Sequence, residues 1–545
     1  MRSLLFATAL FICFAFSIAY ADQINTFKPP QSFEDSSDFF IIEGAGLYQG
    51  SDKRALDKGL WEHSSRKDIT DLVINLPVNT KSPALQKLTK GILLSESSIS
   101  KLDDYDEITP GRDFLTLRLM KLMQGGYFRD AMQLYSVAIE TPHHDDVAKA
   151  GIYAMLGTGE KSIACLEMKT LGNMNMSDPF WPALLSYCNA TLSNKPTPEA
   201  QILLEDSQFT LLKDLAYNPS FIFPYTPETF KQLSLLEKTI LIAEGKLEPS
   251  QITDDNVTSI PPQDLHALLS MEAIEGKARS LLMIEAVRWG IRSVDDLVNF
   301  YKGNSQNVTL LSGMPALYSK LIKLEEKDER LPLLKSVLAK NENFDPLALT
   351  PMTKFFKDLS DEDLDYALFK NILPLYYLTN MRVPEELIES YLVAREENLN
   401  NPGYTAILLA LQNYQKSHGF NNLDNIIHKN GTSDGATQNY EKNFIENLDK
   451  EVEHDDNAAK AYEKDKSVVM SDEDFSSFIA PLQKASVSQA LGETALLSIT
   501  VMHDKDVLSF DDIQFQVFTD ALRDAKLNKF SQRLAFERLI GDEEE

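Results

Sequence analysis

The densest set of ligand-type side chains in the sequence is His143-His144-Asp145-Asp146. Imidazoles and carboxylates close together are the donors that hold zinc or a similar divalent cation. The four residues fall between two helical runs, where Asp145 is also a natural N-cap. They are therefore read as a solvated turn. Glu453 to Asp456 (EHDD) and His503 to Asp506 (HDKD) are read the same way. The sequence has no His-Glu-x-x-His, no paired Cys-x-x-Cys, no Gly-x-Ser-x-Gly, no P-loop and no dinucleotide fingerprint. No metal ligand, catalytic residue or cofactor-binding residue is assigned, and no cofactor is expected. A Ser/His/Asp triad dispersed along the chain would leave no spacing signal.

The next reactive pair is Cys165 and Cys188; the third cysteine, Cys13, lies in the leader. The chain begins MRSLLFATALFICFAFSIAYADQ. Arg2 precedes an apolar run from Leu4 to Ile18, and Ala19-Tyr20-Ala21 is a small-x-small cleavage pattern. This predicts a secretory signal peptide over residues 1–21, cleaved after Ala21. The apolar run is shorter than the ~20 residues a membrane span needs. No later stretch reaches that length. The expected location is periplasmic, with no stable membrane insertion after cleavage. In an oxidising compartment two remaining cysteines suggest a disulfide. Two separately buried thiols are the alternative.

The chain has 545 residues, with 53 Lys and Arg against 81 Asp and Glu, a net charge of −28. That length exceeds one ordinary core, so several domains or an extended array are expected. The charge repels phosphate backbones and anionic membranes, which excludes nucleic acid as a partner. It favours a basic protein or peptide.

Residues 22–60 ("KPPQSFEDSSDFF", "EGAGLYQGSDK") read as a flexible or loosely docked lead-in. Helical periodicity then dominates residues 61–428. Its clearest unit is GGYFRDAMQLYSVAIETP, Gly125 to Pro142. Phe128, Ala131, Met132, Tyr135, Ala138 and Ile139 form one apolar stripe at helical spacing. Gly125-Gly126 ends the preceding helix and allows a reversal. Ala131 and Ala138 are small where helices must approach, and Pro142 stops the helix. Helix starts fall near Asp113, Asp145 and Asp178. Gly159 and Ala164 repeat the offset of Gly126 and Ala131. This predicts consecutive antiparallel helices over 113–192, reversing near Gly126 and Gly159. Beyond residue 200 the period blurs. Thr226-Pro227, Thr350-Pro351 and Ser293-x-x-Asp296 mark further helix starts. Residues 429–470 read as an acidic polar linker. Residues 471–545 read as a closing helical unit with an acidic tail.

Gly126, Phe128, Ala131, Tyr135 and Ala138 resemble the glycine, aromatic, alanine, aromatic and alanine positions of the tetratricopeptide repeat. Leu119 departs from that pattern, standing where a small residue is typical. The resemblance implies an all-α chain of αα-hairpins in a superhelix with irregular repeats. Such surfaces bind partners along many dispersed side chains. The blocks LPVNTKSPALQKLTKGILLS, SIACLEM, DPFWPALLSYCNATL, LGETALLSI and LRDAKLNKFSQRLAFERLI are similar to an uncharacterised exported helical family of proteobacteria. That likeness implies a periplasmic α-solenoid with a Cys165–Cys188 link. It carries over no functional residue.

Glu96-Ser97 and Leu122-Met123-Gln124 invite comparison with lytic transglycosylases, whose catalytic domain resembles Glu-Ser followed shortly by Gly-Leu-Met-Gln. Here the separation is too long and the glycine is absent, so no catalytic role is assigned. Trp61, Trp181 and Trp289 are read as packing residues rather than a groove lining. The sequons at Asn189, Asn256 and Asn307 are read as chance. The sequence therefore favours a periplasmic helical-repeat scaffold that binds protein or peptide partners, without catalysis. An enzyme of peptidoglycan or another envelope polymer is the first alternative. An architectural accessory protein is the second.

Overall fold

A computed structural model describes residues 43–99, 113–138, 145–171, 176–192, 208–249, 252–254, 256–272, 274–339, 346–359, 366–379, 381, 383–384, 387–388, 472–503, 510 and 512–541. Residues 1–21, expected as a signal peptide, Ile139, Pro142, His143, His144, the EHDD stretch, Asp504 to Asp506 of HDKD and residues 429–470, expected as a linker, lie outside these residues.

The fold is all-α. The first helices are α1 (Arg66–Asn75), α2 (Pro83–Leu94), α3 (Phe114–Gln124), α4 (Phe128–Val137), α5 (Asp145–Gly157), α6 (Lys161–Thr170) and α7 (Phe180–Leu192). Then come α8 (Leu211–Tyr217), α9 (Pro227–Lys231), α10 (Leu235–Glu244), α11 (Pro262–Leu269), α12 (Gly276–Arg288), α13 (Val294–Gly303), α14 (Met314–Leu321) and α15 (Lys327–Ala339). The last are α16 (Tyr366–Leu378), α17 (Asp472–Val487), α18 (Leu491–His503), α19 (Asp512–Asp524) and α20 (Asn528–Gly541). The strands β1 (Phe223–Tyr225) and β2 (Leu247–Pro249) pair in parallel, Phe223 opposite Leu247.

Local chemistry explains many of the boundaries. Ser65, Ser82 and Asp113 accept N–H bonds from Asp68, Leu85 and Thr116 at the starts of α1, α2 and α3. Reciprocal capping boxes open α10 (Ser234, Glu237) and α13 (Ser293, Asp296). At Gly126 and Gly159 φ is +79° and +86°, the left-handed region glycine enters without penalty. The N–H of Gly126 bonds Met123 O and that of Tyr127 bonds Leu122 O. Gly159 and Glu160 repeat this with Leu156 O and Met155 O, so both reversals are Schellman motifs. Thr350-Pro351, expected as a helix start, lies inside a 3-10 segment running from Pro346 to Asp358.

Helices α3 to α7 stack on their sequence neighbours. The core between them holds Phe128, Ala131, Tyr135, Ala138 and Ala164, all buried. The later helices return to the early ones rather than touching only their neighbours. Helix α10 packs on α5, α11 on α3, α18 on α1 and α2, and α20 on α2. The closing helices thus pack on the first two.

Residues 43–60, the last part of the segment read as a lead-in, pack against the helices. Arg118 is fully buried in α3 and donates to the carbonyls of Ala45 and Leu93, each at 2.6 Å. It also donates to Ser95 O at 3.1 Å. Glu43 pairs with Arg66 at 2.6 Å and accepts the N–H of Phe114 at 2.7 Å. Glycine, serine and aspartate in this stretch signal turns. Nothing local signals that an arginine on α3 collects their carbonyls.

Candidate functional site

Of the residues singled out by sequence, Gly126, Phe128, Ala131, Tyr135 and Ala138 lie on or beside α4, Gly159 precedes α6, and Ala164, Cys165 and Cys188 lie on the hairpin α6–α7. Cys165 of α6 and Cys188 of α7 form a buried disulfide with Cα atoms 5.8 Å apart. Polar ties surround it. The Tyr135 hydroxyl donates to Glu167 Oε1 at 2.7 Å, joining α4 to α6. The Tyr187 hydroxyl bonds Glu244 of α10, and Lys161 pairs with the same carboxylate at 2.9 Å. Burial and the neighbouring glutamates push both tyrosine hydroxyls up, so they stay protonated donors.

The hairpin exposes several large apolar side chains among polar ones. Ile163 and Leu166 on α6, Met176 in the connection and Leu192 on α7 are exposed, Leu166 at 63%. Ile163 and Leu166 stand three residues apart, on one face of the helix.

Asp145 and Asp146 are held in other contacts. Asp145 Oδ1 accepts the indole N–H of Trp181 at 2.6 Å. Lys149 lies 2.7 Å from Asp145, 3.8 Å from Asp146, and bonds Asp178. Burial alone would raise Asp178, but the Lys149 ammonium and the N–H of Phe180 hold it below the usual carboxylate range. These carboxylates satisfy a lysine and a tryptophan. Trp61 and Trp181 are buried, while Trp289 is partly exposed under Lys81. Glu96 pairs with Lys58 at 2.7 Å near the surface, and Leu122 and Met123 are core residues of α3.

A second polar cluster joins α2, α16 and α20. The Glu537 carboxylate accepts from the Ala84 N–H and the Tyr377 hydroxyl, each at 2.6 Å, and from the Ser82 hydroxyl. Burial pushes Glu537 up to about 7, against the pull of these donors. A buried glutamate beside a serine is what a hydrolase would require. Here all three donors are engaged in joining helices.

One cleft of about 370 Å³ opens between α3 and the returning α10–α11. Leu117, Met120, Lys121 and Gln124 line it from one face of α3, Ile74 from α1, Leu235 and Lys238 from α10, and Gln263 from α11. Lys121 Nζ donates to Leu76 O at 2.7 Å. Burial lowers Lys121 to about 8 and lowers Lys238 as well. Gln263 Nε2 donates to Met123 O at 3.1 Å, which fixes its amide.

No family model, curated protein or solved structure matches the chain. The sequence reading placed Cys165 and Cys188 but not Lys121, Lys238 or Glu537. The one available signal was the spacing of Leu117, Met120, Lys121 and Gln124, which share a helical face.

Proposed function

We propose that this chain is an exported helical scaffold that binds a basic protein or peptide partner in the cell envelope, without chemistry of its own. The observation that carries this reading is the α6–α7 hairpin. Two helices tied by a buried disulfide expose Ile163, Leu166, Met176 and Leu192. Apolar anchors that are already rigid lose little entropy on binding. The net charge of −28 favours a positively charged partner and rapid encounter. Disulfides persist in oxidising compartments, which supports the export expected from the leader. The αα-hairpins α3–α7 supply the tetratricopeptide-like part of the reading.

The test is a photo-crosslinking residue at Leu166 in the full chain, with the exposed Lys302 on α13 as control. The expected result is one saturable product from position 166, weakened by salt and lost on Ile163→Asp. Equal labelling from both positions, or none from 166, would overturn the reading.

A further inference from the structure

We infer that the cleft between α3 and α10–α11 is a binding site for a small aliphatic carboxylate. Its anionic end meets Lys121 and Lys238, and its hydrocarbon lies on Ile74, Leu117, Met120 and Leu235. This site is separate from the partner-binding face on α6–α7 and does not depend on it.

Size sets the class of ligand. A cavity of about 370 Å³ falls in the range of small-molecule pockets, ~300–1,000 Å³. A folded partner needs an interface of ~1,000 Å² or more, which this cleft does not offer. Four of the lining residues are aliphatic or thioether side chains, and Met120 is exposed at its mouth.

Charge sets the head group. Several lysines of this acidic chain sit on carboxylates, Lys58 on Glu96, Lys90 on Asp130, Lys161 on Glu244 and Lys277 on Asp254, while Lys246 and Lys529 donate to backbone carbonyls at the surface. Lys121 and Lys238 form no ion pair among the described residues. Lys121 is held by a backbone carbonyl, and Lys238 stands over the Phe230 ring at 5.3 Å. The carboxylate acting on Lys238 is Asp264, which burial raises to about 6 and which accepts from the Tyr225 hydroxyl at 2.9 Å. Two partly desolvated ammonium groups in one apolar cleft gain a partner when a carboxylate enters. A cationic ligand is repelled, and a neutral one gains only a weaker hydrogen bond.

The test titrates the full chain with sodium decanoate and with 1-decanol, the uncharged isostere, near pH 7 by calorimetry. The expected result is one saturable site that prefers decanoate by about tenfold or more. Lys121→Met with Lys238→Met should bring the two affinities together while alkyl binding persists. Met120→Asp, at an exposed position that tolerates a charge, should abolish binding of both. Equal affinity of the wild-type chain for acid and alcohol, or no saturation, would overturn the inference. So would a Lys121→Met, Lys238→Met variant that keeps the preference, or an acidic hexapeptide that binds and is not displaced by decanoate.

Discussion

Glu537 accepts the backbone N–H of Ala84 at 2.6 Å, across 453 positions of sequence. The bond places a carboxylate from α20 on the first turn of α2, where unpaired N–H groups favour a negative charge. Tyr377 of α16 donates to the same carboxylate, so one side chain joins three helices. Glu537→Ala strands these donors. The expected loss is about 1–3 kcal/mol of unfolding free energy, with faster amide exchange in α2 and α20. Glu537→Gln keeps an acceptor and should lose less. Urea unfolding of the alanine variant that matches wild type would remove this role.

The same carboxylate shapes the pH dependence of stability. Burial raises Glu537 from 4.5 to about 7, so the folded chain holds the proton more tightly than the unfolded chain. Its contribution is complete below about pH 4.5 and is lost as pH rises through about 7. Asp264, raised from 3.8 to about 6, acts with the same sign. His266 acts oppositely. It is buried against Gly157 O at 2.7 Å and stacks on Phe128, and burial lowers it from 6.5 to about 4. Its contribution is present above about pH 6.5 and lost as pH falls through about 4. Glu537→Gln should therefore flatten the decline between about pH 4.5 and 7 and leave the acid-side loss intact. Unfolding free energies measured across this range decide it. An unchanged profile would show that the three donors keep Glu537 ionised.

Opening the Cys165–Cys188 link frees a loop with a sequence separation of 23. The chain-entropy cost is roughly 3 kcal/mol. Cys165→Ser with Cys188→Ser should lower the denaturation midpoint, and reductant should lower that of the wild type alike. Reductant should then leave the double variant unaffected. A wild-type midpoint insensitive to reductant would rule out this stabilisation.

What could be read from sequence tracks the range of the interaction. Gly126 and Gly159 announce their Schellman reversals because a helix end is a local event. Ser293 and Asp296 announce their capping box for the same reason. The disulfide needs only two cysteines and a compartment. Arg118 shows where this stops. In "RDFLTLRLMKLMQ" it looks like a surface residue, yet it is buried because carbonyls from residues 43–45 and the end of α2 need a donor. Lys121 shares a readable face with Leu117, but the opposing Lys238 and Gln263 arrive from helices that no local period ties to α3. Glu537 lies on a helix whose own pattern contains no sign of α2.

Two glycines at the end of α5 should respond differently to alanine. Gly157 has no φ constraint, but a Cβ there would come within 2.1 Å of the Phe128 ring. Gly157→Ala must displace a buried aromatic of α4, an overpacking cost of about 1–3 kcal/mol. Gly159 faces open space, and only its φ of +86° resists a side chain. Gly159→Ala should cost about 1 kcal/mol, the usual penalty for a left-handed residue. Phe128→Leu supplies the discriminating measurement. It should relieve part of the Gly157→Ala penalty and leave the Gly159→Ala penalty unchanged, because only the first arises from the ring. Additive costs in both pairs would mean that α5 does not press on Phe128 as closely as the geometry requires.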